Sequence, residues 1–343
     1  MKTPRPRISV VIPTHNRALS LKACLQSLEI QTLPHRHFEV IVVDDASQDE
    51  TPALVAEMTP SYPFHYVRRR EGGSAAAARN QGAAVAQSDI ILFLDDDVVP
   101  TPQLLEAHLG VHRRWGRVSV LGYSPFSRDL PRTPIMEYHR ARWDEIFSRI
   151  ATYDVQKEIP FNFFITINLS VRRADFEGLG PFNSILKIVF EDTELGLRFA
   201  EAGVPLKFCK DALAWHHPSL GEDSLTSRPE RFGYRAGHYY LRHPNNKAMN
   251  KCMNVAYVFG LPSSRHAFAR MRSFLRRNLL SDWSVSVLMS IVLRMGHLLP
   301  APVRNFICAK VKWYHYSKGF RRALLEAGEW QDSLKTQAQV FSK

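Results

Sequence analysis

Three almost purely apolar runs, SVVI (9–12), VIVV (40–43) and IILFL (90–94), are separated by stretches whose apolar side chains recur at helical spacing. Strands that are apolar at nearly every residue are those buried on both faces of a sheet. The helical stretches, Leu19 to Gln31, Thr51 to Met58 and Ser74 to Ala86, supply covers for those faces. Such alternation predicts an α/β fold, a mostly parallel Rossmann-like sheet flanked by helices. Ligands of open α/β sheets bind beyond the carboxyl ends of the strands, so the residues just after each run carry the functional reading.

Each run ends in a polar cluster: Pro13-Thr14-His15-Asn16-Arg17, Asp44-Asp45-Ala46-Ser47 and Asp95-Asp96-Asp97. Turn and cap residues account for any one of them. Three adjacent carboxylates repel one another and call for a compensating cation. In an extended segment Asp95 and Asp97 share a side and Asp96 points away, which makes a partial oxygen site for Mg²⁺ or Mn²⁺ that substrate phosphates complete. Gly72 to Gly82 reads as a loop feeding a helix N-terminus, a place for phosphate or sugar oxygens. An Ala-rich helix packed on the sheet explains much of that stretch but leaves Gly72, Gly73 and Arg79 over. It is neither GxGxxG nor GxxxxGK[ST], which weighs against dinucleotide oxidoreductases and P-loop enzymes.

In their order and spacing, VVIPTHNR, VVDDASQDET, GGSAAAARNQG and FLDDDVVP, followed by NLSVRRADFEGLGPF (168–182), FEDTELGLRFAEAG (190–203) and AWHHP (214–218), resemble the family 2 glycosyltransferases of the GT-A fold over roughly residues 7–220. The resemblance implies a single nucleotide-sugar domain, a divalent cation and inversion at the anomeric carbon. It implies that Pro13, His15, Asn16 and Asp45 hold the nucleoside, that Arg79 lies near the diphosphate, and that Asp95 and Asp97 are the DxD, Asp97 on the metal and Asp95 and Asp96 with the donor. Asp192 matches the catalytic base, and His216, beside His217, the metal-side histidine. The chemistry suits these types: a leaving diphosphate needs its charge stabilised, and an acceptor hydroxyl needs a positioned carboxylate, worth about 10² to 10⁴ in rate. Read without the family, Glu191, Asp192 and Glu194 are acidic residues at a helix start, favoured by its dipole.

The net charge of +12 is unevenly placed. Residues 1–227 hold 25 Lys and Arg against 28 Asp and Glu, and residues 228–343 hold 20 against 5. The expected division is a catalytic domain of residues 1–225 and a helical, basic extension of 226–343, with helices at 263–278, 281–299 and 303–327. An uncharged run from Trp283 to Leu293 is too short to span a bilayer. As a helix, 281–299 has Ser286, Ser290, Arg294 and His297 on a polar stripe, which suits an amphipathic surface helix and equally a helix packed on the catalytic domain. Cations interleaved with aromatics suit an anionic membrane surface and also suit RNA; the resemblance to family 2 enzymes, which often act on lipid-linked or envelope glycans at the cytoplasmic leaflet, favours the membrane, and nucleic acid is not an expected partner. The expected partners are a nucleotide diphosphate sugar donor and a glycan or lipid-linked acceptor. The place expected is the cytoplasm or the inner face of the plasma membrane. No signal peptide is read in the basic N-terminus, and Cys24, Cys209, Cys252 and Cys308 have no disulfide or zinc spacing. The long polar and aromatic stretch within 123–162 suits a lid over the acceptor, or a surface insertion. Two rival readings are a catalytically silent glycan-binding relative and a metal-dependent nucleotidyltransferase.

Overall fold

The computed structural model describes residues 5–153, 157–183, 186, 190–253 and 281–328. The chain divides into two compact units, one of residues 1–130 and 143–218, the other of residues 131–142 and 219–343.

The first unit holds strands β1 (Ile8–Thr14), β2 (Phe38–Asp44), β3 (Phe64–Arg68), β4 (Ile90–Leu94), β5 (Val98–Pro100), β6 (Ser119–Tyr123), β7 (Asn168–Arg172) and β8 (Leu206–His216). They form one eight-stranded sheet in the order β3-β2-β1-β4-β7-β6-β8-β5. β1 lies parallel between β2 and β4, with Thr14 opposite Asp44. The chain therefore leaves β1 for one side, reaches β3, and returns to the other side at β4. Such a reversal opens a crevice at the carboxyl ends of the strands.

Every residue of β1 and β2 is buried, and alternate side chains enter two cores. Val11, Ile41, Val43 and Phe93 meet helix α3 (Ala75–Val85) and α7 (Glu191–Glu201). Val10, Ile12, Val40, Val42 and Leu92 meet α1 (Ala18–Leu28) and α4 (Leu104–Trp115). Each such aliphatic side chain contributes about 1.5–3 kcal/mol on burial, which sets the register of the central strands. α3 lies so close to the sheet that a Cβ at Gly82 would stand 2.4 Å from Cγ1 of Val11. Helix α2 (Thr51–Glu57) and α6 (Arg173–Leu179) complete the layer set.

The stretch within 123–162 is not an extended loop. Its centre is the helix α5 (Pro134–Ile150), and the unit boundary falls inside it, between Arg142 and Trp143. Ile135 and Tyr138 belong to the core of the second unit, while Phe147 and Ile150 belong to that of the first. Its side chains are thus committed to two cores.

The second unit adds α8 (Ser227–Arg242), α9 (Lys247–Cys252), α10 (Asp282–Met295) and α11 (Ala301–Glu326). α8 and α11 pack with almost no side chain between them: a Cβ at Gly233 would stand 1.8 Å from the Tyr316 carbonyl oxygen, and one at Gly319 1.9 Å from that of Glu230. α10 starts with a reciprocal cap, the Ser281 hydroxyl accepting from the Ser284 amide while the Ser284 hydroxyl accepts from that of Ser281. Ser286, Ser290, Arg294 and His297 are exposed and Val285, Met289 and Val292 are buried, as the amphipathic reading requires. The helix expected at 263–278 lies outside the described residues. Among the described residues no helix is long and apolar enough to cross a membrane.

Candidate active site

The ends of β1 and β2 are joined by a polar lattice. Asn16 takes a left-handed conformation (φ 53°), which asparagine tolerates better than most residues. Its backbone amide donates to the Ser47 hydroxyl at 2.9 Å, and its Oδ1 accepts from the amides of Gln48 at 2.7 Å and Asp49 at 3.3 Å. His15 Nδ1 lies 2.8 Å from the Asp45 carbonyl oxygen. The Asp45 carboxylate accepts the Gly73 amide at 3.0 and 3.1 Å and pairs with Arg69. Gly73, left over by the helix reading, thus ties the loop before α3 to the end of β2.

The three carboxylates after β4 do not alternate along an extended segment. Residues 96 and 97 form a turn between β4 and β5, so the expectation that Asp95 and Asp97 share a side with Asp96 turned away fails for want of extended backbone. Each carboxylate has its own partner. Arg79 Nη2 donates to Asp95 at 2.6 Å. The Thr14 hydroxyl donates to Asp96 at 2.7 Å, and Arg17 Nη1 lies 2.9 Å from Asp96 and 2.8 Å from Asp97. Burial pushes Asp96 up to about 7, against the pull of Arg17. Asp97 is equally buried, but the hydrogen bond and charge of His216, with Arg17, outweigh this and hold it at about 2.

His216, on the last residue of β8, places Nε2 3.5 Å from Asp97 Oδ1. Its ring is fixed by Phe126 and Trp143, with centroids 5.1 and 5.5 Å away, and its buried Nδ1 has no hydrogen-bond partner among the described residues. His217 meets Asp97 through its backbone amide, 2.7 Å from the Asp97 carbonyl oxygen. The two adjacent histidines therefore differ: the ring of one and the backbone of the other face the same residue.

Arg79 connects this cluster to the start of α7. Its Nη1 lies 3.5 Å from Glu191, and its guanidinium stands 5.8 Å from the centre of the Phe182 ring. Phe190, before α7, is held at φ 59°, a strained conformation for an aromatic residue. The three acidic residues of the first turn part ways. Glu191 faces Arg79, Asp192 accepts the Thr193 amide at 2.7 Å, and Glu194 pairs with Arg198 at 2.9 Å. Burial and the neighbouring Asp192 charge raise Glu191 to about 7. Burial also raises Asp192, opposed by Arg79 and by the amides of Thr193 and Thr166.

A cleft of about 300 Å³ opens here, lined by Pro13, Thr14, His15, Arg17, Asp45, Ala75, Arg79, Asp95 and Asp96. Asn16, Asp97, His216 and Asp192 lie outside its lining. Sequence reasoning placed Thr14 within the nucleoside segment from Pro13 to Asn16 but gave no site role to Arg17 or Glu191. The signal for Arg17 was present: a cation in the polar cluster after β1, with three carboxylates awaiting one after β4. Among the described residues no three His, Cys, Asp or Glu side chains converge as a ready-made metal cage. Asp97 and His216 do form a two-ligand edge, one oxygen and one nitrogen, at a separation close to the about 3 Å between neighbouring ligands of an octahedral Mg²⁺. That set fits a divalent ion whose remaining ligands are water and substrate phosphate.

A sequence profile described as glycosyl transferase family 2 matches residues 9–178. The glycosyltransferase AglE of Haloferax volcanii is 30% identical, over 68% of this chain and 74% of that protein. A validoxylamine A glucosyltransferase of Streptomyces hygroscopicus is 31% identical, over 70% of this chain and 62% of that one. Among solved structures, the mannosyltransferase PcManGT of Pyrobaculum calidifontis, in complex with GDP-Man and Mn²⁺, matches 93% of this chain and 88% of its own at 18% identity, with a TM-score of 0.60. S. aureus TarS 1–349, in complex with UDP-GlcNAc, matches 94% of this chain and 92% of its own at 16% identity, with a TM-score of 0.55. With the crevice at the β1 reversal and the paired carboxylates around it, these likenesses identify the chain as a glycosyltransferase of the GT-A fold, and it belongs to glycosyl transferase family 2.

Proposed function

We propose that the protein transfers a sugar, with inversion, from a nucleotide diphosphate to an acceptor hydroxyl, in the assembly of a lipid-linked or cell-envelope glycan at the cytoplasmic face of the membrane. The observation that carries the transfer reading is Arg79, which binds Asp95 in the donor cleft and faces Glu191 beside Asp192. One guanidinium thereby couples the place where a diphosphate would sit to the place where a base is needed.

Pro13, His15 and Asp45 line the part of the cleft assigned to the nucleoside, and Arg79 that assigned to the diphosphate. Asp192 is the base that accepts the acceptor's proton as the hydroxyl attacks the anomeric carbon from the face opposite the leaving group. A carboxylate whose affinity for protons is raised by burial is better matched to that task than an exposed one. Asp97 and His216 would hold a Mg²⁺ or Mn²⁺ ion, which supplies charge stabilisation to the departing diphosphate. Arg17 supports this by holding Asp96 and Asp97 in place, and as a fixed cation beside them it favours the ionised form of Asp97. The basic C-terminal third supports an acceptor or surface that is itself anionic.

Calorimetric titration with a panel of nucleoside diphosphates, in Mn²⁺ and then in EDTA, tests the reading. One nucleotide should bind in Mn²⁺ only, and Asp97→Ala should abolish that binding. Binding that is unchanged by EDTA and by Asp97→Ala would remove the metal from the reading, and no binding of any nucleotide would remove the donor site.

A further inference from the structure

From Trp283 to Leu325 the chain holds seven Lys and Arg residues and no Asp or Glu. α10 and α11 run through this segment as a hairpin: the Lys318 ammonium and the Tyr314 hydroxyl each lie 2.9 Å from Asp282, at the start of α10, so the other end of the pair is the turn 296–300. α10 already gives Val285, Met289 and Val292 to the core of the second unit. Yet around the turn Met295, Leu298, Val303 and Phe306 are 50%, 69%, 46% and 60% exposed. Large apolar side chains gathered at one tip, in addition to a filled core face, mark a surface with a partner.

The charges around the tip say which partner. Arg294 and His297 stand exposed beside it, and the Lys310 ammonium lies 5.1 Å from the centre of the Phe306 ring. A protein partner for an apolar patch would tolerate either sign at the rim. The hairpin itself brings cations and no acid to this tip over 43 residues, which complements a surface of anionic phosphates laid over hydrocarbon. The helices are too short in apolar length to cross a bilayer, so the tip enters its interface.

We propose that the α10–α11 turn seats in an anionic lipid bilayer, with Leu298 and Phe306 entering the acyl boundary and Arg294 and Lys310 meeting the headgroups. The inference rests on the second unit alone, so its failure leaves the donor-site reading intact.

The test is flotation of the full chain with vesicles of phosphatidylcholine alone and of phosphatidylcholine with phosphatidylglycerol. The parent should float with the anionic vesicles and dissociate in high salt. A Leu298→Ser, Phe306→Ser double variant should partition at least about tenfold more weakly. Leu325→Ser, at a side chain 61% exposed near the far end of α11, should bind as the parent does. All three proteins should keep the same thermal transition, because none of these side chains is buried. Equal flotation of parent and double variant, or equal binding to neutral vesicles, overturns the proposal. So does a parent that floats with neither, or one whose dimer, seen by light scattering, is lost in the double variant while lipid binding is absent; the tip is then an interface between copies.

Discussion

Single residues divide the labour of the cleft by their surroundings. Asp96 and Asp97 are adjacent and share Arg17, yet one is pushed up to about 7 and the other held at about 2, because only Asp97 also faces His216. Glu191 and Asp192 are likewise adjacent, and among the described residues Glu191 meets the Arg79 guanidinium while Asp192 has no side-chain cation in hydrogen-bond contact. This separates the proposed base, Asp192, from a neighbour held by Arg79 and gives a sharp expectation. Asp192→Asn keeps the shape and the Thr193 amide contact but removes the proton acceptor. It should bind nucleoside diphosphate as the parent does and lower kcat by about 10²- to 10⁴-fold. The acid limb of the parent's kcat profile should lie above the ordinary aspartate value of 3.8, since burial raises this group. A variant that loses nucleotide affinity instead would show Asp192 to be part of the donor site.

At the level of elements, the structure hides a polar chain that ties β7 to α4 and β8. His112 Nε2 lies 2.8 Å from the Ser170 hydroxyl, that hydroxyl 2.8 Å from His108 Nδ1, and His108 Nε2 2.8 Å from Asn168 Oδ1. Asn168 then donates to the Ala212 carbonyl oxygen of β8 at 2.9 Å. With neutral rings every contact has one proton: His112 donates to Ser170, Ser170 to His108, and His108 to Asn168. Burial lowers His108 to about 4 and His112 to about 3, so both stay neutral in the fold while the unfolded chain takes up protons below about 6.5. Stability from these rings is complete above that value and falls as pH drops towards 4, by about 1.4 kcal/mol per pH unit for each ring. His108→Gln should be less stable at pH 7 and lose stability less steeply between pH 6.5 and 4.5, measured by denaturant titration. Parallel slopes for parent and variant would count against the buried neutral ring. None of this chain was legible in the sequence, because histidines on an amphipathic helix give no sign of what they face. The central strands were legible because seven consecutive buried residues leave an apolar run, whereas the turn at Asp96 and Asp97 was not, since three acids carry no period. Arg17 lay in plain view and was passed over because its partners are some eighty residues away.

On the scale of the whole chain, charge is placed without regard to the stability of the second unit. Lys312 of α11 is pressed down from its ordinary proton affinity by burial and then by Arg142 of α5 and Arg228 of α8. Both charges named are positive, and Arg228 is itself paired with Asp223 at 3.1 Å. Its depressed affinity means that the folded state carries a cost while Lys312 is protonated, and that stability rises as alkaline pH removes the proton from the fold before the unfolded chain loses its own. The apolar core beside Lys312 is filled by Tyr138 of α5, Leu225 ahead of α8, and Cys308 and Val311 of α11. Lys312→Met keeps the stem and removes the charge, and it should stabilise the protein by roughly 1 kcal/mol or more at neutral pH and low salt. The gain should shrink as salt screens Arg142 and Arg228, and the alkaline rise in stability should diminish with it. Thermal unfolding of parent and variant at two salt concentrations reads both effects. A variant less stable than the parent would mean that Lys312 answers an anionic partner group inside the fold, and the repulsion described here would not be the dominant interaction at that site.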